Sequence, residues 1–216
     1  MLNECFIVGG GPSLLGFDFS LLSGKDVIVV NKAVEDYPQA NYFITVDYTF
    51  LRKIQPDLLK TVSASKAFIA CLHLPYMVER DGRIIDTRYN LIYDLSDFDV
   101  VIKSRRADGF GFKFSDFRNG YNSGYCALQL ALILGYKRIY LLGFDLIVQY
   151  GQPRSFTHYH NGYGQNIKKF EKKLDLYYTY FLEGLTQLKD TGIEVISCSL
   201  ISRLNDIIPF EEVFKS

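Results

Sequence analysis

Six apolar runs of strand length punctuate this chain, at Cys5–Val8, Val27–Val30, Tyr42–Val46, Ala67–Leu72, Arg138–Leu142 and Glu194–Ser197. They are rich in β-branched and aromatic residues and show little alternation, as expected of strands buried on both faces of a parallel sheet. Two helical stretches separate the later runs. Tyr125–Leu134 is apolar nearly all round, stops at Gly135, and has Asn122 and Ser123 before it as caps. A second, over about 166–190, places Phe170, Leu174, Tyr177, Phe181, Leu185 and Leu188 on one face. Lys168, Lys169, Glu171, Lys172 and Lys173 crowd its first turns, and Gly192 stops it. A weaker helix is expected at Tyr48–Ile54, and a hairpin at Val78–Ile85 around the turn pair Asp81-Gly82. Asp94–Phe117 supports no assignment. Strands alternating with helices predict one α/β domain over residues 1–216, doubly wound, with a mainly parallel sheet and helices on both faces.

Composition removes several classes of function. The 216 residues carry 24 Lys+Arg against 24 Asp+Glu, and phosphate-backbone binding needs an excess of cations, so nucleic acid is not the expected partner. Cys5, Cys71, Cys126 and Cys198 lack CxxC spacing, which favours reduced thiols over a disulfide framework. No apolar run approaches the roughly 20 residues of a membrane span, and the N-terminus enters a strand directly, so the expected location is cytoplasmic. One surplus stands out: 16 Tyr and 17 Phe with no Trp, a supply that suits a core and also a pocket for a flat or sugar-like ligand.

The first run leads into Gly9-Gly10-Gly11-Pro12-Ser13-Leu14. Glycines there permit positive φ and close approach of a ligand, and backbone N–H groups can then hold phosphate. A dinucleotide fingerprint fails, because Leu14 stands where the third glycine belongs and Asn31-Lys32 where a ribose-binding acid belongs. A Walker A pattern fails as well, since no Gly-Lys-Ser/Thr follows. Ligands of open α/β sheets bind outside the carboxyl ends of strands. Those ends read Gly10-Gly11, Asn31, Asp47 and Asp145, joined by the helix start Asn122-Ser123-Gly124. Together they predict a nucleotide site, although Asp47 and Asp145 could each cap a following helix instead.

The segment from Gln149 to Gly164 contains His158, Tyr159, His160 and Tyr163 and follows the Asp145 strand, so a lid over 149–165 is expected. A histidine there could serve as general base toward a hydroxyl, and Tyr159 and Tyr163 could meet a phosphate or sugar. Two histidines at this spacing do not make a metal site. Weaker signals are His73, the Asp97-Phe98-Asp99 pattern and the pair Arg105-Arg106.

These residues also carry a resemblance. Gly9–Leu14, Asn31, Asn122-Ser123-Gly124-Tyr125, Ala131–Asp145, His158-Tyr159 and Val195–Ser199 resemble the bacterial sialyltransferases of glycosyltransferase family 42. With Ile44–Asp47 added, they also resemble pterin diphosphokinase-like proteins and motility-associated putative glycosyltransferases. The sialyltransferase resemblance implies a Rossmann-like transferase that takes a cytidine (CMP-linked) nucleotide-sugar and a glycan acceptor, requires no metal cofactor, and inverts the anomeric centre. By it, Gly10, Gly11, Asn31, Ser123 and Gly124 line the nucleotide site and a lid histidine deprotonates the acceptor. From the residues themselves, Gly9, Pro12 and Ser13 join that site, N–H groups at Gly10–Ser13 and Ser123-Gly124 stabilise the departing phosphate, and His158 or His160 is the base. The related transferases are often oligomers, which extends here to a homo-oligomer. This chain departs from them in Gly10 and Asp47, where they have Asn, and in the spacing of His158 and His160. Asp47 leaves open a second reading, diphosphoryl transfer from ATP with Asp47 and Asp145 holding Mg²⁺. A nucleotide-binding module without catalysis is the third.

Overall fold

The computed structural model describes residues 3–47, 66–72, 77–81, 83–88, 91–95, 98–105, 109–151, 157–160 and 167–214. In chain order its strands are β1 (Glu4–Val8), β2 (Val27–Val30), β3 (Tyr42–Thr45), β4 (Lys66–Leu72), β5 (Met77–Arg80), β6 (Arg83–Asp86), β7 (Leu91–Asp94), β8 (Val100–Ser104), β9 (Arg138–Leu142) and β10 (Glu194–Ser197). Its helices are α1 (Ala33–Asp36), α2 (Ser123–Ile133) and α3 (Ile167–Thr186). The Tyr48–Ile54 helix, His73, Gly82, Asp97, Arg106 and Tyr163 lie outside the described residues.

Seven strands make one parallel sheet in the order β10-β9-β1-β2-β3-β4-β8. From β1 the chain winds outward through β2, β3, β4 and β8, then returns past β1 to add β9 and β10 on the other side. The winding therefore reverses between β1 and β9, and such a reversal opens a crevice at the carboxyl ends of the two strands. The pairing Ile7↔Leu141 and Val8↔Leu142 brings Gly9 level with the exit of β9.

Successive side chains of β1, β2, β3 and β9 enter opposite cores, which explains the absence of alternation in these runs. Cys5, Ile7, Ile28, Val30, Ile44, Ile139 and Leu141 pack with α2 and α3, whereas Phe6, Val8, Val27, Val29, Phe43, Tyr140 and Leu142 pack on the other face. That second face is covered by α1 and by the 3-10 turns Pro12–Leu14 and Phe19–Leu22. Many of the surplus aromatics are core: Tyr125, Phe6, Phe43, Phe110, Phe117 and Phe181 are fully buried.

Helix α2 begins at Ser123, two residues before the expected Tyr125, and of the two expected caps Asn122 takes the role, its Oδ1 accepting the Tyr125 N–H at 3.0 Å. Helix α3 gives way to turns after Thr186, earlier than the 190 expected from periodicity. The expected hairpin forms, with Asp81 at φ 52, and gains β7 as a third antiparallel strand. The stretch without an assignment supplies β8, the edge strand beside β4. Cys5, Cys126 and Cys198 are free thiols.

Candidate functional site

The carboxyl ends of β1, β2, β3 and β9, the start of α2 and one face of α3 enclose a cleft of about 340 Å³, within the range of small-molecule sites. Of the residues expected there, Gly9, Gly10, Gly11, Pro12, Asn31, Asp47, Asn122, Ser123, Gly124, Asp145, His158 and His160 all line it. Ser13 and Tyr159 do not, for reasons given by their hydrogen bonds.

The glycine turn is a clamp. Gly9 N–H donates to Leu142 O and Gly11 N–H to Gly143 O, both at 2.8 Å. Asp145, only 1% exposed, closes the same junction: its Oδ2 accepts the Ser13 N–H and its Oδ1 the Ser13 hydroxyl, each at 2.7 Å. Gly11 is required by this close approach rather than by positive φ, since a Cβ there would lie 2.5 Å from Asp145 Oδ2 and 2.7 Å from Gly143 O. The positive φ belongs instead to Gly143, at +68. With Leu14 N–H donating to Gly11 O, the turn's N–H groups are largely spent on the fold. The expectation that N–H groups from Gly10 to Ser13 all face a phosphate is thereby corrected: Gly11 and Ser13 point theirs at β9 and its loop, and Pro12 has none.

The cleft floor is tied together through Thr45, a fully buried residue that the sequence does not single out. Its hydroxyl donates to Asn31 Oδ1 at 2.7 Å and accepts the Asp47 N–H at 3.1 Å. Asn31 itself holds φ 51, a left-handed conformation that Asn tolerates. Ser123 Oγ accepts the Val46 N–H at 3.1 Å, joining α2 to the end of β3. The N–H groups of Ser123 and Gly124, in the first turn of α2, have no intrahelical acceptor and are suited to an anion. Gly124 is glycine because a Cβ would stand 2.7 Å from the Phe144 ring.

Above this floor lie the histidines. Tyr159 N–H donates to Gly10 O at 3.1 Å, which sets residues 157–160 on the glycine turn. The two imidazoles stack at 5.2 Å between centroids and 25° between planes, with Phe170 of α3 5.1 Å from His158. Thr157 Oγ1 stands 3.0 Å from His158 Nδ1. Both Nε2 atoms converge beside Gly10: a Cβ there would be 3.8 Å from that of His160 and 4.0 Å from that of His158. Burial, reinforced by the neighbouring His160, pushes His158 down to about 4. Burial and then the Lys32 cation push His160 down to about 4. Both rings are therefore uncharged at neutral pH. Tyr159 takes a place other than the one expected of it. Its hydroxyl donates to Asp36 Oδ2 at 2.6 Å, at the end of α1, and its ring lies 6.1 Å from Phe19.

Helix α3 contributes lining that sequence reasoning missed, in Lys173 and Tyr177, and β2 leads into Lys32, which pairs with Glu35. Burial raises the Tyr177 phenol, and the Asp47 carboxylate adds to the rise. The lysine-rich first turns of α3 were the available signal. The weak sequence signals resolve into structure: Asp99 Oδ2 accepts the Ala67 N–H at 2.6 Å, at the end of the sheet opposite the cleft, and Arg105 pairs with Asp116. Tyr150 is exposed and donates to Glu171. Among the described residues no three His, Cys, Asp or Glu side chains group as metal ligands.

No family model and no curated protein matches the chain. Solved structures of the sialyltransferase CST-II from Campylobacter jejuni do match. The complex of CST-II with a trisaccharide acceptor and CMP superposes with TM-score 0.53 at 17% identity, covering 96% of this chain and 85% of that one. A variant of CST-II in complex with CMP gives 0.52 at 16% identity, over 96% and 86%. A second variant with CMP gives 0.50 at 16%, over 97% and 86%. This chain shares their α/β fold. Also, among the described residues no helix is long and apolar enough to cross a membrane.

Proposed function

We propose that this chain is a glycosyltransferase that moves a sugar from a nucleotide-sugar to a hydroxyl acceptor. The observation that carries the reading is the pair of uncharged imidazoles converging beside Gly10, over a cleft at the sheet's winding reversal. The fold likeness to CST-II, whose complexes contain CMP and an acceptor trisaccharide, supports it. In this reading the acceptor oxygen attacks the anomeric carbon and its proton passes to the Nε2 of His158 or His160. The bond from the anomeric carbon to the phosphate oxygen breaks on the opposite face, its electron pair stays on the phosphate, and the sugar is inverted. The N–H groups of Ser123 and Gly124 meet the charge on the departing phosphate. Asn31, Asp47 and Asn122 lie where the nucleoside would sit, and the whole chain acts as one transferase domain.

The Mg²⁺-dependent alternative asks Asp145 to ligate a metal, but both of its oxygens already hold Ser13. That geometry favours the glycosyl reading. A thermal-shift panel of CMP, CDP, UDP, GDP and ATP, with and without Mg²⁺, tests the choice. The expected result is a metal-independent shift with a cytidine or uridine nucleotide. At hundredfold excess over Kd the stabilisation is about 2.7 kcal/mol. A shift confined to ATP with Mg²⁺ reverses the assignment. His158→Gln and His160→Gln, made separately, should leave nucleotide affinity near the parent value while one of them lowers turnover about 100-fold or more. Unchanged turnover in both removes the histidines from the mechanism.

A further inference from the structure

Part of what positions the two imidazoles lies outside the cleft, in the residue between them. The segment 157–160 bonds to the glycine turn after β1 through the Tyr159 N–H, which donates to Gly10 O at 3.1 Å. An amide bond of this kind contributes about 1 kcal/mol net. A further attachment is the Tyr159 side chain. Its hydroxyl reaches across to Asp36 Oδ2 at 2.6 Å, a charge-assisted bond to the last residue of α1, and its ring packs beside Phe19 on the second core. Tyr159 stands between His158 and His160 in the chain, and its ring lies 5.0 Å from the His160 ring at 79°.

We propose that Asp36 and Tyr159 are a positioning pair that latches the histidine segment onto the glycine turn and so sets where the imidazoles meet the acceptor. This deepens the glycosyltransferase reading and rests on it for its consequence in turnover. It gives Tyr159 a structural task in place of contact with phosphate or sugar. The latch joins the elements that follow β2 and β9 over the exit of β1, the same junction that Asp145 and Ser13 close from below.

The test combines amide hydrogen exchange with steady-state kinetics on the full chain. Tyr159→Phe retains the ring against Phe19 and removes only the hydroxyl. Asp36→Ala removes the acceptor, and Asp36→Asn keeps an acceptor oxygen at the same place. Exchange of the amides over 157–160 should quicken about tenfold in Tyr159→Phe and Asp36→Ala and stay near the parent rate in Asp36→Asn. With a nucleotide-sugar that the parent enzyme turns over, kcat should fall about tenfold in the first two variants with donor KM changed less than about threefold. Exchange unchanged in both variants overturns the latch. Faster exchange with kcat intact overturns the positioning role. A rise in donor KM with kcat unchanged returns Tyr159 to the substrate site. If the parent chain turns over no donor, the glycosyltransferase reading fails, and the exchange rates alone decide whether the latch exists.

Discussion

The carboxylate of Asp145 spends both oxygens on one residue, Ser13, and that arrangement makes the first turn rigid. Replacing it by alanine takes the acceptor from the part-buried Ser13 N–H and hydroxyl, which should cost about 1 kcal/mol in denaturant unfolding. Asp145→Asn retains one acceptor and should cost less. Gly11→Ala should cost at least as much as Asp145→Ala, because the new methyl meets the carbonyl of Gly143 as well as the carboxylate. Stability equal to the parent in both alanine variants would show that the clamp is slack. The residues of this clamp were legible individually, since glycines after a first strand and an acid after a later one are strong signals. Their partnership was not legible. Ser13 and Asp145 lie 132 positions apart, and only the pairing of β1 with β9 brings them together. Thr45 was illegible for another reason, being one more β-branched residue in a strand until its hydroxyl finds Asn31.

Among the elements, α2 shows how a local signal can be sufficient. Asn122 before an apolar run and Gly135 after it define both ends, and the structure has Asn122 capping Tyr125 and Gly135 at φ +87. Asn122→Ala should destabilise the protein by about 1 kcal/mol, with Asn122→Ser recovering most of it, measured by thermal or denaturant unfolding. An Ala variant as stable as the parent would mean that the Ser123 tie to Val46 already fixes this helix start. Edge strand β8 shows the opposite case. Val100–Ser104 buries Ile102 and Ser104 and exposes Val101 and Lys103, so its apolar signal is diluted, and only its partner β4 identifies it as a strand. Helix α3 was found from its apolar stripe, but periodicity cannot say which part of that stripe faces a ligand cleft. Lys173 and Tyr177 were missed on that account.

For the molecule as a whole, the buried imidazoles impose a pH dependence with a definite sign. The folded chain holds His158 and His160 near 4, whereas in the unfolded chain each titrates near its ordinary 6.5. Between those values the unfolded state binds protons that the folded state refuses, so stability is full above the upper value and declines as pH falls towards the lower. A thermal midpoint that drops between pH 6.5 and 5, with a gentler slope in His158→Gln and His160→Gln, is the expected outcome. A flat midpoint over that interval would place both rings in water. The sheet order has one more consequence, which concerns how the chain comes into being. Strand β1 is made first yet ends in the interior, flanked by β2 and by β9. Until β9 has left the ribosome, one whole side of β1 has no partner, and its unpaired edge is open to other chains. Truncations that stop before Arg138 should therefore be aggregation-prone, and the cleft should be among the last regions to form, since it waits for the late strand that completes the early one.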